Sequence, residues 1–133
     1  MEFLIRQRNN SDCAVCTLAM ALGVPYEDVF EMLPEYQKNL AAGKQQGLSV
    51  PDYLYVMQTY GFSIESVYPG TVNKWYGDDF WEYLKHKLAF LVVNSLNYPG
   101  RLHSVFWDGE GVRDPSEKCA YTDETVKEST PRR

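Results

Sequence analysis

The chain is poor in several features that would each assign it to a class. Nowhere do about 18 apolar residues follow one another, the length that a helix needs to cross a bilayer. The N-terminal MEFLIRQRNN joins an acidic second residue to an apolar stretch too short for a signal peptide. No membrane insertion is therefore expected, and a cytoplasmic location follows. Positive charge is also scarce: 13 Lys and Arg face 18 Asp and Glu for a formal net charge of -5, with no basic stripe of the kind that phosphate backbones require. Nucleic acid is not an expected partner. Cysteine is limited to Cys13, Cys16 and Cys119, an odd and loosely spaced set that makes a poor disulfide framework and fits a reducing compartment. Histidine is scarcer still, so any general base of that type is His86 or His103. There is no internal repeat and no sign of a second domain.

What is present suits one globular domain. A chain of 133 residues with 44% hydrophobic side chains can bury a core without a disulfide or a structural metal, so no cofactor or metal is expected. The fold class expected is α+β, with residues 1–117 as the domain and the polar, aperiodic residues 118–133 as a C-terminal tail. Ten Tyr, six Phe and three Trp are a generous aromatic share, mostly for the core.

The hydrophobic spacing changes from helical to strand-like along the chain. Val15, Leu18, Ala19 and Leu22 recur at helical spacing after the polar RNNSD, and Cys16 and Met20 leave this first helix apolar almost all round. Gly23 ends it. A second helix uses Tyr26, Val29, Phe30 and Leu33 before Pro34, and EYQKNLAAGKQQG is equally a weak helix or a loop. Ser49, with Asp52 three residues on, caps a helix whose expected inner face is Val50, Tyr53, Leu54 and Met57, closing at Gly61. FSIESVY from Phe62 reads as a strand and PGTVNKWYG as a loop. Asp78 or Asp79 caps a further helix to about Lys87, with Phe80 and Leu84 inward. AFLVVN from Ala89 reads as a strand buried on both faces, and LHSVFWDGEGVRDP as a hairpin about an Asp-Gly turn.

Thiol chemistry needs a thiolate, a base, a group that orients the base, and donors for an oxyanion. Cys13 follows Asp12 and Ser11, either of which can cap the first helix, so its sulfur falls in the first turn, where the helix dipole favours a thiolate. A plainer reading, an inert core thiol, suits Cys16 one turn deeper. His86 lies between lysines and reads as a surface residue. His103 opens a hairpin strand, and strand parity selects its partner. If Asp108-Gly109 form the turn, Asp114 lies directly opposite His103; if Gly109-Glu110 do, Asp114 stays on that face one diagonal step away. Gln7, six residues before Cys13, is a candidate oxyanion donor together with the Cys13 backbone N–H.

Gln7, DCAVCTLAMAL from Asp12, GLSVPDYLYVMQTYGF from Gly47, AFLVVN, and HSVFWDGEGVRDP from His103 together resemble the bacteriocin-processing cysteine peptidases, the double-glycine leader peptidases, over roughly residues 3–116. The resemblance implies a papain-like cysteine peptidase fold, N-terminal helices with the nucleophile helix packed on a C-terminal antiparallel sheet. It also implies catalytic roles for Cys13, His103, Asp114 and Gln7, and a peptide or protein as substrate. The family's glycine after the nucleophile is Ala14 here, its hairpin is usually longer, and no transporter segments accompany the peptidase; oligomeric state is left open.

Two other classes compete with a stand-alone cysteine peptidase. One is a catalytically inactive peptide-binding protein on the same fold, with Trp75, Tyr76 and Trp81 as contacts. The other takes Cys13, Cys16, His103 and Cys119 as zinc ligands or Cys13 and Cys16 as a redox pair, although only one Cys-x-x-Cys is present and no strand leads into it.

Overall fold

The computed structural model describes residues 4–44, 46–63, 82, 84–94, 100 and 102–116. They form a mixed α+β arrangement of four helices, α1 (Cys13–Leu22), α2 (Tyr26–Glu31), α3 (Pro34–Ala41) and α4 (Val50–Thr59), followed by β1 (Ala89–Asn94), β2 (Leu102–Trp107) and β3 (Val112–Arg113). The strands make one antiparallel sheet in the order β1-β2-β3. Among the described residues no helix is long and apolar enough to cross a membrane.

The first helix takes the central position that its all-round apolar sequence demands, with every residue from Ala14 to Met20 buried. Gly23 ends it in the left-handed conformation, at φ 69°, where glycine carries no steric penalty. Val15, Leu18 and Ala19 pack with Tyr26, Val29 and Leu33 and with Phe106 of β2. Helix α2 ends earlier than its apolar pattern extends, and Pro34 opens α3 instead of merely stopping α2. A proline at the first helical position costs no hydrogen bond, because the N–H it lacks would have had no partner there. The ambiguous polar stretch therefore begins as a helix, anchored by buried Tyr36 edge-on to Phe30.

Helix α4 starts as its sequence dictates. Ser49 Oγ accepts from the Asp52 N–H and the Asp52 carboxylate accepts from the Ser49 N–H, a complete capping box. Its inner face is rotated from the expected one: Val50 is 63% exposed and Val56 is the fully enclosed residue. Val50 lies in the first turn beside Pro51, before the helix reaches the core.

Strand β1 also differs from its sequence reading. Leu91 and Val93 are buried while Val92 and Asn94 are exposed, so the second face is covered only at its start, where Phe90 packs against the helical core. The strand enclosed on both faces is β2. Its Phe106 meets the helical core, and its Val105 and Trp107 join Leu84, Leu91 and Val93 in a second core.

The hairpin follows the second of the two registers open from sequence. Trp107 pairs with Val112 and Phe106 with Arg113, and the Asp108 N–H donates to the Gly111 carbonyl at 3.1 Å. Asp108 builds the turn: Oδ1 accepts from the Glu110 and Gly111 N–H groups, and Oδ2 pairs with Arg113. Glu82 and Leu84 are helical and Leu84 is buried, as the sequence suggests, and exposed His86 lies in the turn after them. The caps Asp78 and Asp79, Phe80, the strand beyond Ser63, Trp75, Tyr76, Trp81, Cys119 and the tail lie outside the described residues.

Candidate active site

Cys13 is the first residue of α1, so its thiol stands at the positive end of a ten-residue helix dipole. Cys13 is half-buried, whereas Cys16 has no exposed surface. Burial, followed by the negative charge of Asp12 and of Cys13, pushes the Cys16 thiol far above the ordinary thiol range. Cys16 is thus the inert member of the pair.

His103, the second residue of β2, is buried, and its Nε2 lies 2.8 Å from Asp114 Oδ1. Continuing the β2–β3 register sets Asp114 opposite Val105, a diagonal step from His103 on the same face. Burial opposes a charged ring here, but the hydrogen bond to Asp114 and then the Cys13 thiol, acting both as a hydrogen-bond partner and as a charge, outweigh it. The result is a His103 pKa raised to about 9. Burial likewise opposes the Asp114 carboxylate, and the His103 and Ser116 hydrogen bonds overcome it, so its pKa is lowered. An ionised carboxylate only accepts, so Nε2 carries the ring proton and Nδ1 is the nitrogen left to face the thiol.

Asp12 occupies the cap position of α1 without capping it. Its fully buried carboxylate accepts from the Arg8 N–H at 2.8 Å, the Asn9 N–H at 3.4 Å and the Tyr26 hydroxyl at 2.8 Å, tying down the loop that delivers Cys13. Asn9 Oδ1 accepts in turn from the Ser11 N–H at 2.8 Å, and Ser11 Oγ lies 3.1 Å from the Tyr36 hydroxyl. The polar run between Gln7 and Cys13 is therefore folded by its own side chains.

Gln7 joins the site through its backbone, whose N–H donates to the Pro115 carbonyl at 2.7 Å, next to Asp114. Its side-chain amide donates to the Asn9 carbonyl at 3.1 Å; this uses one of two amide hydrogens and is not directed at a site residue. The structure thus brings Cys13, His103 and Asp114 together by side chains, and Gln7 only by its main chain.

Other groups around the site escaped the sequence reading. Thr17 Oγ1 donates to the Cys13 carbonyl at 2.8 Å and reaches the Ser104 carbonyl at 3.4 Å, bracing α1 against β2. Tyr53 of α4 lies with its ring 6.0 Å from that of Phe90. Burial raises the Tyr53 phenol pKa against the lowering effect of a Ser104 hydrogen bond, and Cys13 adds to the rise. Helical spacing marks Tyr53 as an inner residue but says nothing of its hydroxyl. A depression of about 240 Å³ lies between the Cys13 loop and the end of α3, lined by Asn9, Asn10, Ser11, Leu40, Gly43 and Lys44. Among the described residues no group of three or more His, Cys, Asp and Glu side chains is arranged to hold a metal ion. No protein-family model matches the chain, and no curated protein or solved structure matches it.

Proposed function

We propose that the chain is a cysteine peptidase of papain-like fold, with Cys13 as nucleophile, His103 as general base and acid, and Asp114 as its orienting carboxylate. The observation that supports this best is the single buried imidazole engaged by Asp114 on Nε2 and acted on by the Cys13 thiol. In the reaction, Nδ1 of His103 takes the Cys13 proton, and the sulfur adds to a peptide carbonyl. The resulting oxyanion is met by the Cys13 N–H, one of the helix N–H groups with no partner inside the helix. It is also met by the Gln7 amide once that has turned from Asn9. The carbon–nitrogen bond then breaks as Nδ1 returns its proton to the leaving amine. Water, deprotonated by the same nitrogen, hydrolyses the thioester and restores the thiol.

The hydrogen bond that the Gln7 side-chain amide donates to the Asn9 carbonyl favours a second reading, a peptide-binding protein that does not turn over. A peptide library followed by mass spectrometry separates the two. The peptidase reading expects cleavage that Cys13→Ala abolishes and that His103→Ala slows by roughly 10²–10⁴-fold. Peptide binding without cleavage, equal in wild type and Cys13→Ala, would establish the second reading instead.

A further inference from the structure

The Asp114 carboxylate is gripped from behind by Ser116. Ser116 Oγ donates to Asp114 Oδ2 at 2.8 Å, and the Ser116 N–H donates to Oδ1 at 2.9 Å, the oxygen that also takes the His103 Nε2 hydrogen. Asp114 and Ser116 are each 6% exposed, so water competes little for these bonds. Ser116 is pinned in turn by the N-terminal segment. Arg6 Nη1 donates to the Ser116 carbonyl at 2.8 Å and reaches the Asp114 carbonyl at 3.4 Å, and between them the Pro115 carbonyl takes the Gln7 N–H.

We propose that Ser116, backed by Arg6, is a positioning residue that fixes the Asp114 carboxylate and through it the tautomer of His103. The proposal rests on the reading of His103 as the base for Cys13. A carboxylate turns easily about its last torsion, which is broad and roughly two-fold. Two donors from a single residue, one on each oxygen, hold that torsion so that Oδ1 meets Nε2. With Oδ1 in place, the neutral ring keeps its proton on Nε2 and presents the Nδ1 lone pair to the thiol. A carboxylate that swings away releases that preference, and the Nδ1–H tautomer points a hydrogen at the sulfur and cannot accept its proton.

The test uses Ser116→Ala, Ser116→Thr and Arg6→Ala in the full chain, with two readouts. One is the ¹⁵N shifts of the His103 ring at a pH high enough to neutralise it; the other is the rate of iodoacetamide labelling at Cys13. Wild type is expected as the Nε2–H tautomer. Ser116→Ala is expected to populate Nδ1–H and to label about tenfold more slowly. Ser116→Thr, which keeps a hydroxyl, restores both. Exposed Arg6→Ala moves both in the same direction by less. Wild-type ring shifts and labelling rate in Ser116→Ala would overturn the proposal; should that variant not fold, unchanged ring shifts and rate in Arg6→Ala would do so. The tautomer readout needs no turnover, so an absence of peptide cleavage would sink the peptidase reading and leave this result to stand or fall alone.

Discussion

Cys13 and Cys16 are three residues apart, yet one turn of helix separates a reachable thiol from an enclosed one. The residues on which the site depends fall into two groups by how well the sequence declares them. Cys13 and His103 lie on elements with a period and Asp114 is the residue after β3, so helix position and strand parity bring them together on paper. Asp12, Ser116 and Arg6 lie outside the helices and strands, where no period exists to mark them. Asp12 gives the strongest prediction at this scale. Replacing it by alanine leaves the Arg8 and Asn9 N–H groups and the Tyr26 hydroxyl without their acceptor. Asp12→Ala should therefore cost roughly 2–4 kcal/mol and Tyr26→Phe about 1 kcal/mol, read from urea unfolding.

The His103–Asp114 pair adds a pH dependence with a definite sign. A histidine raised in the folded state, here from 6.5 to about 9, stabilises fully below 6.5 and loses that contribution as pH climbs through about 9. A carboxylate lowered from 3.8 stabilises above 3.8 and loses its contribution as pH falls through the folded value. Counted once as a pair, the two are at full strength between 3.8 and 6.5. Urea midpoints of wild type and His103→Ala, taken from about pH 3 to 10, should differ most in that window and converge toward the alkaline end. A gap that does not change with pH would contradict the pairing.

At the scale of elements, local chemistry proved more legible than burial. The Ser49–Asp52 capping box is a sequence signal with a mechanism, and α4 begins there. Ser49→Ala should cost about 1 kcal/mol in thermal unfolding. The hairpin turn is equally local: Gly109 sits at φ 97°, and a Cβ there would meet the His86 Cα at 3.3 Å, backbone against backbone. Gly109→Ala is expected to destabilise by roughly 1–3 kcal/mol and to loosen the hairpin against the turn at His86, whose N–H donates to the Gly109 carbonyl. Burial depends on neighbours that composition does not name. AFLVVN is apolar enough for a strand covered on both sides, but its place beside β2 leaves Val92 outward, while the less uniform LHSVFW is the strand enclosed on both faces. Proline 34 illustrates the same limit, since a helix start and a helix stop share one residue and only the chain before it decides.

At the scale of the molecule, β2 is the hinge of the arrangement. One face closes the core built by α1, α2, α3 and α4, the other closes the core around Leu84 and Trp107, and its first residues carry His103 to the N-terminus of α1. The α+β class was legible from the change of hydrophobic period along the chain. The approach of residues 13, 103 and 114 required the packing of α1 on β2, which no local pattern encodes. A site assembled from such distant segments exists only in the folded chain, so selective reactivity at Cys13 should vanish in the same urea transition that unfolds the protein. The central claim, that His103 activates Cys13, is tested most directly by iodoacetamide labelling rates at each cysteine as a function of pH, in wild type and in His103→Ala. The account predicts that Cys13 reacts much faster than Cys16 and Cys119 near neutral pH and that His103→Ala removes this advantage. Equal rates at Cys13 and Cys119, or an advantage that survives His103→Ala, would contradict it.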